Sequence, residues 1–324
     1  MQEVSKDIFY RTIQGWEWIS HTQLDVWCTS LFPEHTLRYY VDAHQPSQFA
    51  CVGYVCQKAG LSMLIIQGEC MRGAVDHKMV REFYSNVDTL GYDIVEINSD
   101  SLYSTQFEVG IREAGLLRPV GLFSTTLSKL IDLRTPIQYD KNWKNNLKKA
   151  DQYGLSFRMY DAKTITNEII DSYLEIQEEL TKRKHFAENL DHQRMHILLQ
   201  DSHFVLGTVW HEGVMVSGMV ALMDDGKRAM SLYSATSSIG RKLSASYLLR
   251  REVMAYAINE RNIPSFDMGR MSPSIHSKNN IFLFKNGIEG NIVQYNGEWL
   301  WCSHKWLPLV LYFINKYVWK RVQV

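Results

Sequence analysis

Three apolar, β-rich runs at residues 203–210, 214–223 and 228–234 are separated only by His211-Glu212-Gly213 and Asp224-Asp225-Gly226. Separators this short leave room for a tight turn, and glycine supplies the positive φ that such turns need. The three runs are therefore expected to pair as an antiparallel meander. Downstream, Leu243, Tyr247, Leu248, Met254, Tyr256 and Ile258 recur near helical spacing through Asn259, and the run 263–268 is short enough for a buried strand. Helices are predicted ahead of the meander over 165–184 and 192–200. A helical or irregular segment near 279–284 and a last strand at 291–294 are predicted behind it.

The first half repeats this rhythm. Runs at 47–57 and 61–67 flank a Lys58-Ala59-Gly60 turn, 75–90 reads as a helix, 92–98 as a strand, 102–114 as a helix and 120–127 as a strand. A chain of 324 residues that is 45% hydrophobic can fill two cores of roughly 150 residues each. The join is placed near Thr135-Pro136, where the strand-like 130–133 ends and a lysine-rich helix begins, giving modules 1–135 and 136–324. In that helix Lys141, Lys144 and Lys148 fall on one face, with Trp143, Leu147 and Ala150 on the opposite one. The lysine face is either solvated or a contact for tRNA phosphate.

Basic and acidic residues number 35 each, which excludes a large nonspecific nucleic-acid surface. Cys28, Cys51, Cys56, Cys70 and Cys302 form no CxxC pair and have no histidines at zinc-finger spacing, so reduced thiols and no metal are expected. Residues 1–7 carry acids and no apolar core, unlike a secretory signal, so the expected location is cytoplasmic. The apolar segment from Trp306 is interrupted by Asn315-Lys316 and falls short of the ~20 residues of a spanning helix. It is expected either to dock on its module or to lie in a membrane interface over residues 306–321, at the inner face of the membrane.

Near the C-terminal end, Phe266-Asp267-Met268-Gly269-Arg270 is followed by Ile281-Phe282-Leu283-Phe284-Lys285, by Gly287 and Gly290, and by Tyr295-Asn296-Gly297-Glu298-Trp299. Upstream, a segment running from Thr126 to Asp132-Leu133 precedes the basic helix and Tyr153-Gly154. In this order of motifs the chain resembles the FemAB family over most of residues 60–299. The best-known members of that family move amino acids from aminoacyl-tRNA onto peptidoglycan precursors. The element order α-α-β-β-β-α-β-α-β resembles the GNAT acyltransferase fold. The resemblance thus implies an α+β protein of two tandem GNAT-like modules, each a mixed, mostly antiparallel sheet flanked by helices.

The resemblance puts Lys285 at the position that polarises the acyl carbonyl, with Phe284 and Arg270 as substrate-binding neighbours. Asp267, at a strand end, would orient an acceptor amine or take its proton, or else cap the following loop. Tyr233 would protonate a leaving group or pack. In Thr181-Lys182-Arg183-Lys184-His185, Arg183 and Lys184 are candidates for a diphosphate clamp, since a guanidinium forks two phosphate oxygens. The same basic turn also complements a helix dipole. Gly240, Arg241, Lys242 and Ser244 lie where GNAT enzymes cradle the CoA pyrophosphate, but the second Gly or Ala of that signature is missing.

The expected activity is N-acyl transfer to an amine of a nucleotide- or lipid-linked cell-envelope precursor, either peptidoglycan or a surface polysaccharide. The donor would be aminoacyl-tRNA or acyl-CoA, with no tightly bound cofactor. A CoA-dependent N-acetyltransferase acting on an amino sugar is the alternative, because no long paired-helix arm is legible. A non-catalytic precursor-binding module is the third reading.

Overall fold

The computed structural model of the chain describes residues 1–120, 126–184, 190–272 and 280–318. It divides into two units, residues 1–126 with 293–324, and residues 127–292.

In the first unit, strands Gln2–Val4, Leu37–Val41, Phe49–Lys58, Leu61–Gln67, Ile94–Leu102 and Asn291–Cys302 form one sheet in that order. All neighbours are antiparallel except Leu61–Gln67 with Ile94–Leu102, where Leu64 pairs Val95 and Ile66 pairs Ile97 in parallel register. Side chains alternate across a strand. Accordingly Cys51, Leu64, Ile66, Val95 and Ile97 join the core built with helices His77–Tyr84 and Thr105–Glu113. The intervening Ala50 and Val52 pack with helices Lys6–Ile13 and Asp25–Leu31. Met63, Ile65 and Ile94 pack with Leu307 and Leu311 of helix Leu307–Phe313. All five cysteines are free, with Cys28, Cys51 and Cys70 buried.

In the second unit the sheet order is Leu127–Asp132, Ser265–Asp267, Arg228–Thr236, Val214–Asp224, Phe204–His211 and Ser156–Tyr160. The predicted meander forms, with Val220 opposite both Leu206 and Tyr233. Ser265–Asp267 runs parallel to Arg228–Thr236, with Met230 beside Asp267, and antiparallel to Leu127–Asp132. Helix Ala245–Asn259 covers one face through Leu249 and Val253, which approach Gly207. Helix Asn167–Lys184 covers the other, with the buried Tyr173 against Gly218. The lysine-rich helix is Lys141–Asp151, its Trp143, Leu147 and Ala150 buried and its lysines exposed, as its pattern predicts.

The boundary differs from the predicted join at 135/136. Leu127–Asp132 belongs to the second sheet because its backbone pairs with Ser265–Asp267. The final strand does not stop at residue 294 but runs on to Cys302, and it pairs with Ile94–Leu102 of the first unit. A register shift between Tyr295 and Gly297 breaks its alternation, which hides its length in the sequence. The module expected over 136–324 therefore gives up this strand and the helix behind it. Most of the strand predicted over 120–127 lies outside the described residues.

Candidate active site

Lys285 lies in the last turn of helix Asn280–Asn286, and the sequence around that helix fixes where the lysine points. The Phe284 ring is wedged between Trp143 and Tyr247, with centroids 4.8 and 5.0 Å away. The Phe284 carbonyl accepts from Trp143 Nε1 at 2.7 Å. Behind it the buried Lys129 donates its Nζ to the Asn286 carbonyl at 2.9 Å, supplying a cation where a helix C-terminus is short of donors. Phe284, expected to bind substrate, is taken up in this anchoring.

On the other side of the anchor, the Lys285 ammonium donates to the carbonyls of Gly269 (3.0 Å) and Arg270 (2.6 Å). These carbonyls follow strand Ser265–Asp267. Asp267 is buried and accepts from Ser128 Oγ and from the Gly269 backbone N–H at 2.8 Å. Its carboxylate therefore acts through the turn, holding Gly269 in place. Gly269 has φ +76°, and a Cβ there would sit 3.0 Å from the Ser231 carbonyl, so glycine suits this backbone. Arg270 contributes its carbonyl to this group.

Burial is the main reason that the Lys285 amine is pushed down to about 8; the neighbouring Arg250 guanidinium lowers it further and Asp267 opposes them. Arg250 is itself buried in helix Ala245–Asn259, its guanidinium 5.4 Å from the Phe266 ring, and burial depresses it to about 10 against the pull of Asp267. Burial likewise lowers Lys129. The buried Arg250 and the half-buried Lys285 thus share one buried carboxylate, Asp267. An ammonium has three N–H donors, and two of those on Lys285 are committed to carbonyls. Among the described residues, the third meets no acceptor.

The other predicted residues hold further partners of their own. Tyr233 accepts from Arg194 Nη2 at its hydroxyl, and its carbonyl accepts from Tyr173 Oη at 3.1 Å. Arg183 is exposed near the end of helix Asn167–Lys184, on the sheet face opposite helix Ala245–Asn259. The Lys184 side chain lies outside the described residues.

Gly240, Arg241 and Lys242 form a short helix, Ser238–Lys242, whose first turn is already occupied. The Ser238 N–H donates to Glu179 Oε1 at 2.7 Å and the Gly240 N–H to Ser237 Oγ at 3.0 Å. A Cβ on Gly240 would stand 2.2 Å from the Val216 carbonyl, so this glycine serves close packing. Ser244 is buried and donates to Asn146 Oδ1 at 2.8 Å. The Glu179 carboxylate thus takes the Ser238 N–H at the start of this short helix, a group of the kind a pyrophosphate cradle uses.

Lys129, Arg250 and Arg194 escaped the sequence reading. Arg250 and Arg194 sit in helices with no motif around them, Lys129 falls at an unspecified position inside the Thr126–Leu133 segment, and the groups they meet come from other parts of the chain.

The FemAB family model matches residues 203–316. A comparison with curated protein sequences returns no match. Among solved structures, FemX aligns with a TM-score of 0.73 at 12% identity, over 96% of this chain and all of its own. L-PGS from Bacillus licheniformis aligns at 0.59 and 14% identity, over 89% of this chain and 90% of its own. The C-terminal domain (DUF2156) of a putative lysylphosphatidylglycerol synthetase from Agrobacterium fabrum aligns at 0.62 and 12%, over 87% and 88%. Residues 203–316, which hold Asp267, Gly269 and Lys285, carry the sequence pattern of the FemAB family on a fold that the whole chain shares with FemX.

Proposed function

We propose that this chain is an aminoacyltransferase, moving an aminoacyl group from an ester donor to an amine on a cell-envelope precursor. Its support is the Lys285 ammonium, held by two carbonyls inside the FemAB-matched segment with one N–H left over. The neutral amine of the acceptor attacks the ester carbonyl, and the C–N bond forms as the carbonyl π electrons move onto oxygen. The third N–H of Lys285 meets that oxyanion, a fixed donor in place before the charge develops. Collapse re-forms the C=O bond and breaks the C–O ester bond, and the proton lost from nitrogen, passed through solvent, ends on the departing ribose oxygen.

An ester donor such as aminoacyl-tRNA is preferred to acyl-CoA because Glu179 fills the first turn of helix Ser238–Lys242. Peptidoglycan precursors are the acceptor class that the family pattern suggests. A lipid acceptor is suggested by the neighbour named for lysylphosphatidylglycerol synthesis.

The test supplies charged tRNA and acetyl-CoA in parallel to the purified chain, with nucleotide-linked and lipid-linked muropeptides as acceptors. Lys285→Ala is expected to lower transfer by about 10²–10³, the loss seen when an oxyanion donor is removed. Undiminished turnover in a folded Lys285→Ala variant would overturn the role of the lysine. Transfer from acetyl-CoA and not from tRNA would overturn the donor.

A further inference from the structure

Helix Leu307–Phe313 continues as a π-helical turn, Ile314–Val318, and the combined rod uses one edge for docking. Leu307, Leu311 and Asn315, four residues apart, are buried. Leu307 and Leu311 pack on Met63, Ile65, Ile94 and Leu300 of the first unit. The opposite stripe stays uncovered: Trp306 is 56% exposed, Leu309 56%, Phe313 54% and Tyr317 64%. Phe313 and Tyr317 stack at 6.0 Å, so the exposed rings form a continuous apolar ridge. Contiguous apolar patches of this kind mark an interaction surface.

Charge identifies the occupant. Residues 303–324 contain Lys305, Lys316, Lys320 and Arg321 and no acid, a formal +4 on a chain whose net charge is zero, so residues 1–302 carry −4. Lys316 flanks the ridge, its Nζ 3.2 Å from Tyr312 Oη and 5.4 Å from the Tyr317 ring centroid. An apolar stripe with large aromatic rings and a basic, acid-free border fits the boundary between acyl chains and anionic headgroups. No described helix is long and apolar enough to cross a membrane. We propose that the 306–318 rod seats this chain on an anionic lipid bilayer, with Trp306, Leu309, Phe313 and Tyr317 in the interface and Lys305 and Lys316 at the headgroups.

Docking by this rod is independent of acyl transfer, so its test needs no substrate. The full chain is sedimented with vesicles of phosphatidylcholine alone and with vesicles containing 30% phosphatidylglycerol. Binding is expected to the anionic vesicles and to weaken in high salt. Phe313→Ser combined with Tyr317→Ser is expected to reduce it at least tenfold. Lys316→Glu should weaken it by about fivefold or more, the value of one basic residue at such a surface. Both variants alter exposed or half-exposed side chains, and unchanged circular dichroism confirms folding. Failure to bind anionic vesicles, or equal and salt-insensitive binding to both kinds, would overturn the proposal. Self-association that is lost in the Phe313/Tyr317 variant, without lipid binding, would assign the ridge to a second copy of this chain and overturn it equally.

Discussion

Each unit holds a buried polar cluster, and the two are electrostatic opposites. In the second unit, Arg250 and Lys285 face Asp267, and Lys129 caps the helix that carries Lys285. In the first, Glu69 and Asp100 lie buried with Ser20, His21, Ser99 and Ser101. Ser99 Oγ donates to Glu69 Oε1 and Ser20 Oγ to Asp100 Oδ2, both at 2.6 Å, while His21 Nδ1 is 3.5 Å from Asp100. Burial acts on both clusters and drives each toward neutrality, lowering the Lys285 amine and lifting the Glu69 carboxyl to about 7 with help from Asp100. They differ in access. Glu69 is fully enclosed and bonded to hydroxyls, whereas Lys285 stays half-buried with a donor to spare. A perturbed group becomes a candidate for chemistry when something outside the fold can reach it.

The pH dependence separates the clusters most sharply. Deprotonated, Lys285 has only two N–H bonds, both committed to carbonyls, so transfer is expected to fall as pH rises through about 8. Lys285→Arg keeps its charge and should remove that falling limb even if its rate is lower; a limb still present near 8 would dissociate the lysine from the rate. Asp267→Ala is expected to cost about 3 kcal/mol, since it strands the Gly269 N–H and leaves the buried cations without their carboxylate. Urea unfolding measures this cost. A loss under 1 kcal/mol would mean that the turn does not depend on Asp267.

Glu69 gives the smallest effect on transfer, and the sign of its effect on stability is opposite to that of an ordinary paired acid. Its folded pKa lies above its unfolded 4.5, so the folded state holds the proton longer, and stability is lost as pH rises from 4.5 through about 7. The loss is roughly 3 kcal/mol. Glu69→Gln should flatten that slope between pH 5 and 8 and leave transfer within about twofold of the parent, since amide and acid are nearly isosteric. A large drop in transfer would move the first cluster into the active machinery.

What the sequence made legible was periodic or local. The meander showed through its turns, and helices Lys141–Asp151 and Ala245–Asn259 through apolar residues at helical spacing. Lys285 came from a motif order, because periodicity alone would leave it a solvated lysine at the end of an aromatic run. Arg250 and Lys129 were illegible because a buried cation has no local signature; the groups it meets are supplied by the fold. The same holds for Glu69, whose serine partners lie thirty residues away and more. Strand Asn291–Cys302 was visible only at its start, since a register shift interrupts its pattern and its partner strand begins nearly two hundred residues earlier.

That returning strand also sets an order of assembly. Residues 127–292 are contiguous and can complete their sheet while the rest of the chain is still being synthesised. The first unit cannot, because Ile94–Leu102 emerges early and must wait for Asn291–Cys302. Until then it presents an apolar open edge, the kind that captures a strand from another chain. The delay between those two segments is therefore the interval in which nascent copies are most exposed to one another.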